Sequence, residues 1–86
     1  MTKDEIKEQV RAYVLREFLP GEDPNELTDS LSLIDGRILD SLATLRLVAF
    51  LEETFGLQFA AHEVGPQNLD NLERISTFVA SKRKTA

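Results

Sequence analysis

The sequence predicts an all-α fold, a small helical bundle, on three observations. Apolar residues recur at three- and four-residue spacing in three separate segments. Glycine and proline signals stand at the segment ends, and no segment shows the period-two alternation of a half-buried strand.

The first helix is expected from about Lys3 to Leu19. Ile6, Val10, Val14 and Phe18 recur every fourth residue, and Tyr13 widens the stripe. Pro20-Gly21 stops it. A long segment follows, from about Pro20 to Leu39, punctuated by Pro24, Asn25 and Gly36. Structureless loops of that length are uncommon in compact domains. Leu27, Leu31, Leu33, Ile34 and Ile38 are too many apolar side chains for a solvated linker, so this loop is expected to lie on the core, with a turn at Asp35-Gly36. The second helix is expected from Ser41 to Phe55, with Thr44, Leu47, Val48, Leu51 and Phe55 as its stripe and Gly56 as its terminator. Ala60 to Val64 can form one helical turn before Gly65-Pro66. A last helix starts near Asp70, where Asp70 and Glu73 have capping-box spacing, and buries Leu72, Ile75, Phe78 and Val79.

Composition bounds the function. The 86 residues make one domain, 1–86, with a flexible tail expected at about 82–86. The 15 acidic and 10 basic side chains give a net charge of −5, which disfavours nucleic-acid binding. Without cysteine there is no disulfide, thiolate metal site or cysteine nucleophile. The polar start "MTKDEIKEQ" has neither signal-peptide nor transit-peptide character, and no run approaches a membrane span. A cytoplasmic monomer with no metal site is the expectation.

One tripeptide, Asp-Ser-Leu, occurs twice, at residues 29–31 and 40–42. The first copy leads into a turn. The second stands where a loop becomes a long apolar helix, so Asp40 or Ser41 can act as its cap. Ser41 is also placed to be exposed at the positive end of a helix, where a phosphate ester is favoured. The single histidine, His62, gives thin support for a hydrolytic triad, since base and orienter must converge on the serine. No catalytic residue is therefore assigned, and Ser41 reads as an acceptor modified by another enzyme.

On these residues the chain resembles the acyl and peptidyl carrier proteins. The stretch "LIDGRILDSLATLRLVAFLEETFGLQF" looks like that family's loop, its Asp-Ser-Leu and its long second helix. The stretch "HEVGPQNLDNLERISTFV" looks like its short third helix, proline turn and fourth helix. The resemblance implies a four-helix bundle of acyl carrier type with a long first loop and a short third helix. It implies that Ser41 accepts 4′-phosphopantetheine from coenzyme A, with Asp40 assisting recognition by the phosphopantetheinyl transferase and Leu42 packing beside the attachment point. The thiol of that arm would hold an acyl or aminoacyl group as a thioester, loaded by a ligase or transferase and presented to downstream biosynthetic enzymes. Such a carrier is not an enzyme. Where the family often has glycine, four residues before the serine, this chain has Arg37.

The second helix carries more apolar surface than one stripe needs, because Leu45, Ala49 and Phe50 lie outside it. Leu45 and Ala49, with Ala43, Arg46 and Arg37 beside them, form the expected partner face. Arg46 stands where fatty-acid carriers tend to be acidic, which points to a specialised stand-alone carrier. The alternative is an unmodified helical adaptor that binds partners through the second helix alone.

Overall fold

The structure is a computed structural model that describes residues 2–85. Four α-helices follow one another: α1 Lys3–Phe18, α2 Ser41–Phe55, α3 Pro66–Leu69 and α4 Leu72–Thr85. Single 3₁₀ turns at Pro24–Glu26 and Ala61–Glu63 interrupt the connections, and no strand occurs among the described residues. The all-helical bundle, the long first loop and a short third helix match the expectation.

Local chemistry sets the helix starts. Thr2 caps α1 by accepting the Glu5 amide at 3.1 Å, while the Glu5 carboxylate accepts the Thr2 amide at 2.8 Å. This reciprocal box satisfies two of the otherwise unpaired N–H groups of the first turn. The short third helix lies later than expected. Gly65 is its N-cap and Pro66 its first residue, so Pro66 begins a helical turn instead of breaking one. Helix α4 starts at Leu72, close to the expected Asp70. The capping acceptor is Asn71, whose Oδ1 takes the Arg74 amide at 2.8 Å. Asp70 and Glu73 face other partners and form no capping box.

The core is one cluster. Ile6, Val10, Tyr13 and Val14 of α1 meet Leu72, Ile75 and Val79 of α4, and α1 packs chiefly on α4. Helix α2 contributes Ala43, Leu47, Leu51 and Phe55, a strict four-residue stripe, with Val48 packed against it and Thr44 half-buried. Phe50 is half-buried, stacked on Tyr13 with ring centroids 4.0 Å apart. Ser76 is the one fully buried polar side chain among the described residues, and it donates to the Glu73 carbonyl at 3.0 Å.

The long loop lies on the core, held by Leu27, Leu33 and Leu39, with Ile34 and Ile38 packed beside them. Leu31 departs from the expectation and is 37% exposed. Backbone bonds tie the loop to the α3–α4 junction: the Leu33 amide donates to the Asp70 carbonyl at 2.6 Å, and the Glu73 amide to the Asp29 carbonyl at 3.1 Å. Ser32 Oγ donates to Asp70 Oδ1 at 2.5 Å.

The segment expected as a tail, about 82–86, overlaps the end of helix α4. Helix α4 continues through Thr85, Lys82 donates to Glu63 at 2.8 Å and to the Gln58 carbonyl at 2.7 Å, and Arg83 donates to the Phe55 carbonyl at 3.0 Å. Arg83 thereby serves an otherwise unpaired carbonyl at the end of α2. Ala86 lies outside the described residues.

Candidate functional site: a serine at the start of helix α2

The approach to Ser41 is a compact turn. Ser32 caps it by accepting the Asp35 amide at 3.0 Å. The Ile38 amide returns to the Leu33 carbonyl at 2.9 Å and the Arg37 amide to the Ile34 carbonyl at 3.0 Å. That pair of bonds is a Schellman motif, whose C′ residue is left-handed. The C′ residue here is Arg37, with φ 60°. Glycine is the usual occupant because a Cβ is disfavoured there. Gly36 meets a different demand: a Cβ on it would stand 2.9 Å from the Ser32 carbonyl oxygen. The turn at Asp35-Gly36 thus forms as expected, and its left-handed residue is the one after Gly36.

Buried Leu39 then anchors the chain before the helix. Asp40 is the N-cap of α2. Its Oδ1 accepts the Ala43 amide at 2.8 Å and its carbonyl accepts the Thr44 amide at 2.9 Å. This assigns the cap to Asp40 alone. Ser41 is the first helical residue, exposed, and its hydroxyl has no hydrogen-bond partner among the described residues. The amides of Ser41 and Leu42 likewise have no acceptor among them. An exposed hydroxyl beside unpartnered N–H groups at a helix N-terminus suits a phosphate ester.

Ser41 also borders a cleft of about 500 Å³ between α2, the loop and the α3 region. Ile34, Leu39, Leu45, Val64 and Leu69 make it apolar, and Asp40, Ser41 and Thr44 are its polar side chains. No histidine or lysine lines it. The Asp40 carboxylate accepts the Ala43 amide through Oδ1 and is the cleft's one ionisable side chain. No group of metal-ligating side chains occurs among the described residues. No helix among them is long and apolar enough to cross a membrane.

The expected partner face divides. Leu42 and Leu45 are 68% and 63% exposed, and Ala49 is exposed as well. Leu42 therefore projects to solvent next to Ser41 in the chain. Ala43 is buried in the core and belongs to no exposed face. Arg46 turns toward α1, where its guanidinium donates to Glu17 Oε1 at 2.6 Å and lies 5.2 Å from the Phe18 ring centre. Glu17 is shared with Arg16. Arg37 is exposed beside the site in sequence, and His62 is exposed on the 3₁₀ turn.

The first Asp-Ser-Leu copy has a structural role that the spacing of the tripeptide did not reveal. Asp29 accepts Lys7 at 3.0 Å and Arg11 at 2.7 Å, while Glu73 of α4 accepts Lys7 at 2.8 Å and also Lys3. These cations hold the carboxyls of Asp29 and Glu73 below the usual carboxylate range, and the two carboxylates raise Lys7. A signal was present: Lys3, Lys7 and Arg11 recur every fourth residue along one side of α1.

Among known proteins, no family model matches this chain and no curated protein matches it.

Proposed function

We propose that this domain is a carrier protein whose Ser41 accepts a 4′-phosphopantetheine arm from coenzyme A. The observation that carries the reading is the division of labour at the start of α2: Asp40 does the capping, and Ser41 is left exposed with an unengaged hydroxyl. A serine needed only for the fold would occupy the cap. In the modification, Ser41 Oγ forms a bond to the pantetheine-bearing phosphorus of coenzyme A, the pyrophosphate P–O bond breaks, and adenosine 3′,5′-bisphosphate leaves. The serine proton goes to a base on the phosphopantetheinyl transferase.

The residues fit the group. The open amides of Ser41 and Leu42 are placed to favour its phosphate, and the apolar cleft beside Ser41 offers shelter from water. When attached, the arm supplies the thiol that this cysteine-free chain lacks and carries an acyl or aminoacyl group as a thioester. The loading ligase or transferase and the downstream biosynthetic enzymes would meet the exposed surface of Leu42, Leu45 and Ala49. In this reading the domain presents its cargo and catalyses nothing, in the cytoplasm and as a monomer.

The exposure of Leu42 and Leu45 also favours a second reading, an unmodified adaptor that binds through α2. Incubation with coenzyme A and a broad-specificity transferase separates the two. A carrier gains one phosphopantetheine by intact mass, and the gain disappears in Ser41→Ala. An adaptor gains nothing.

A further inference from the structure

A second cleft, of about 320 Å³, opens between the C-terminal end of α1 and the long loop, and neither the carrier nor the adaptor reading uses it. Leu15 of α1 and Leu19 at its C-terminal cap face Leu27, Leu31 and Ile38 of the loop across it. Its size is at the lower end of ligand pockets, about 300–1,000 Å³, which suits an anchoring side chain better than an extended ligand. Leu31, the loop leucine that departs from burial, carries the apolar surface out to the rim.

The rim is acidic. Glu22, Asp23 and Glu26 border the cleft, all exposed. None of the three forms an ion pair among the described residues, and Asp23 accepts only the Asn25 amide of its own turn, at 2.9 Å. The nearby cations of α1 are committed elsewhere, Arg11 to Glu8 and Asp29, and Arg16 to Glu17. Arg37 does not line the cleft. Three uncompensated carboxylates around an apolar floor repel fatty acids and acidic peptides and attract cations.

We propose that this cleft docks a basic amphipathic segment of a partner protein, with an apolar side chain seated between Leu19 and Leu31 and flanking Lys or Arg residues paired with Glu22, Asp23 and Glu26. The surface lies on a different part of the domain from the Ser41 cleft, with which it shares no lining residue. Its occupation does not require modification of Ser41.

The test uses the unmodified, isotopically labelled protein and records amide shifts during titration with a short amphipathic peptide of leucines and lysines. A twin peptide with glutamate in place of lysine is titrated in parallel. The proposal expects saturable, salt-sensitive shifts at Leu19, Leu27 and Leu31 with the lysine peptide and none with its twin. Combining Glu22→Gln, Asp23→Asn and Glu26→Gln should weaken binding about tenfold or more, as lost charge pairing does. Leu31→Ser, an independent change at a partly exposed site, should weaken it as well. Equal binding of both peptides, shifts centred on Leu42 and Leu45, self-association through this cleft without peptide, or no saturable shift up to about 1 mM would overturn the proposal.

Discussion

The Asp40 carboxylate holds the Ala43 amide at 2.8 Å, and this bond separates the roles of two adjacent residues. Asp40 stabilises the helix, and Ser41 does not. Loss of an N-cap side chain costs about 0.5–2 kcal/mol. Asp40→Ala should therefore lower the unfolding free energy from urea denaturation by about 0.5–2 kcal/mol. Ser41→Ala should change stability by no more than about 0.5 kcal/mol, as surface substitutions usually do. Equal losses in chemical denaturation would return the capping role to Ser41.

Arg37 and Gly36 make opposite demands. Arg37 has φ 60°, where a side chain is disfavoured by roughly 1–2 kcal/mol. Arg37→Gly relieves that strain, offset in part by the greater freedom of glycine in the unfolded chain. A net gain of about 0.5–1 kcal/mol is expected. Gly36→Ala should destabilise, because the new Cβ would meet the Ser32 carbonyl at 2.9 Å. Thermal melts of the two variants should move in opposite directions. A loss of stability in Arg37→Gly would show that the arginine side chain itself supports the turn.

The long loop should behave as core at one leucine and as surface at another. Leu33 is fully buried and Leu31 is 37% exposed. Leu33→Ala should cost roughly 2–5 kcal/mol, and Leu31→Ala well under about 1 kcal/mol. Denaturation midpoints of the two variants decide this, and an unmoved midpoint for Leu33→Ala would make the loop a mobile linker.

Acid should loosen the tie between α1, the loop and α4. The carboxyls of Asp29 and Glu73 are held below their ordinary values of 3.8 and 4.5 by Lys7 with Arg11 and by Lys3 with Lys7. Their contribution is complete above those ordinary values and is lost as pH falls through the depressed ones. Lys7 is raised above 10.5, so its contribution persists until pH climbs through that raised value. Asp29→Asn should be less stable than the parent at neutral pH, and the gap should close as pH falls below 3.8. Exposure of the carboxylates keeps the effect modest. A gap that is constant across pH would assign the loss to something other than charge.

Much of the fold was legible because apolar spacing and glycine or proline signals agree along α1, α2 and α4. The start of α4 was legible to within two residues, but its capping residue was not, because Asp70 and Asn71 are both favoured types and only the structure gives the Asp70 carboxylate to Ser32 and the Arg74 amide to Asn71. At the site, position alone made Ser41 a candidate. It could not decide between Ser41 and Asp40 as the cap, since both residue types are favoured there. The exposure of Leu45 and Ala49 was legible, since both lie outside the core stripe. The burial of Ala43 was not, and neither was the ion pair of the exposed Arg46 with Glu17, 29 positions away on α1. Long-range pairs of this kind leave no trace in local spacing.

Whether Ser41 carries the prosthetic arm is read most simply by peptide-level mass spectrometry of the protein purified from its native cells, repeated after incubation with coenzyme A and a transferase. Phosphopantetheine is expected on the peptide containing Ser41, with any acyl or aminoacyl cargo attached to it, and no such modification on Ser30. An unmodified Ser41 in both samples, or the same mass gain mapped to Ser30, would contradict it.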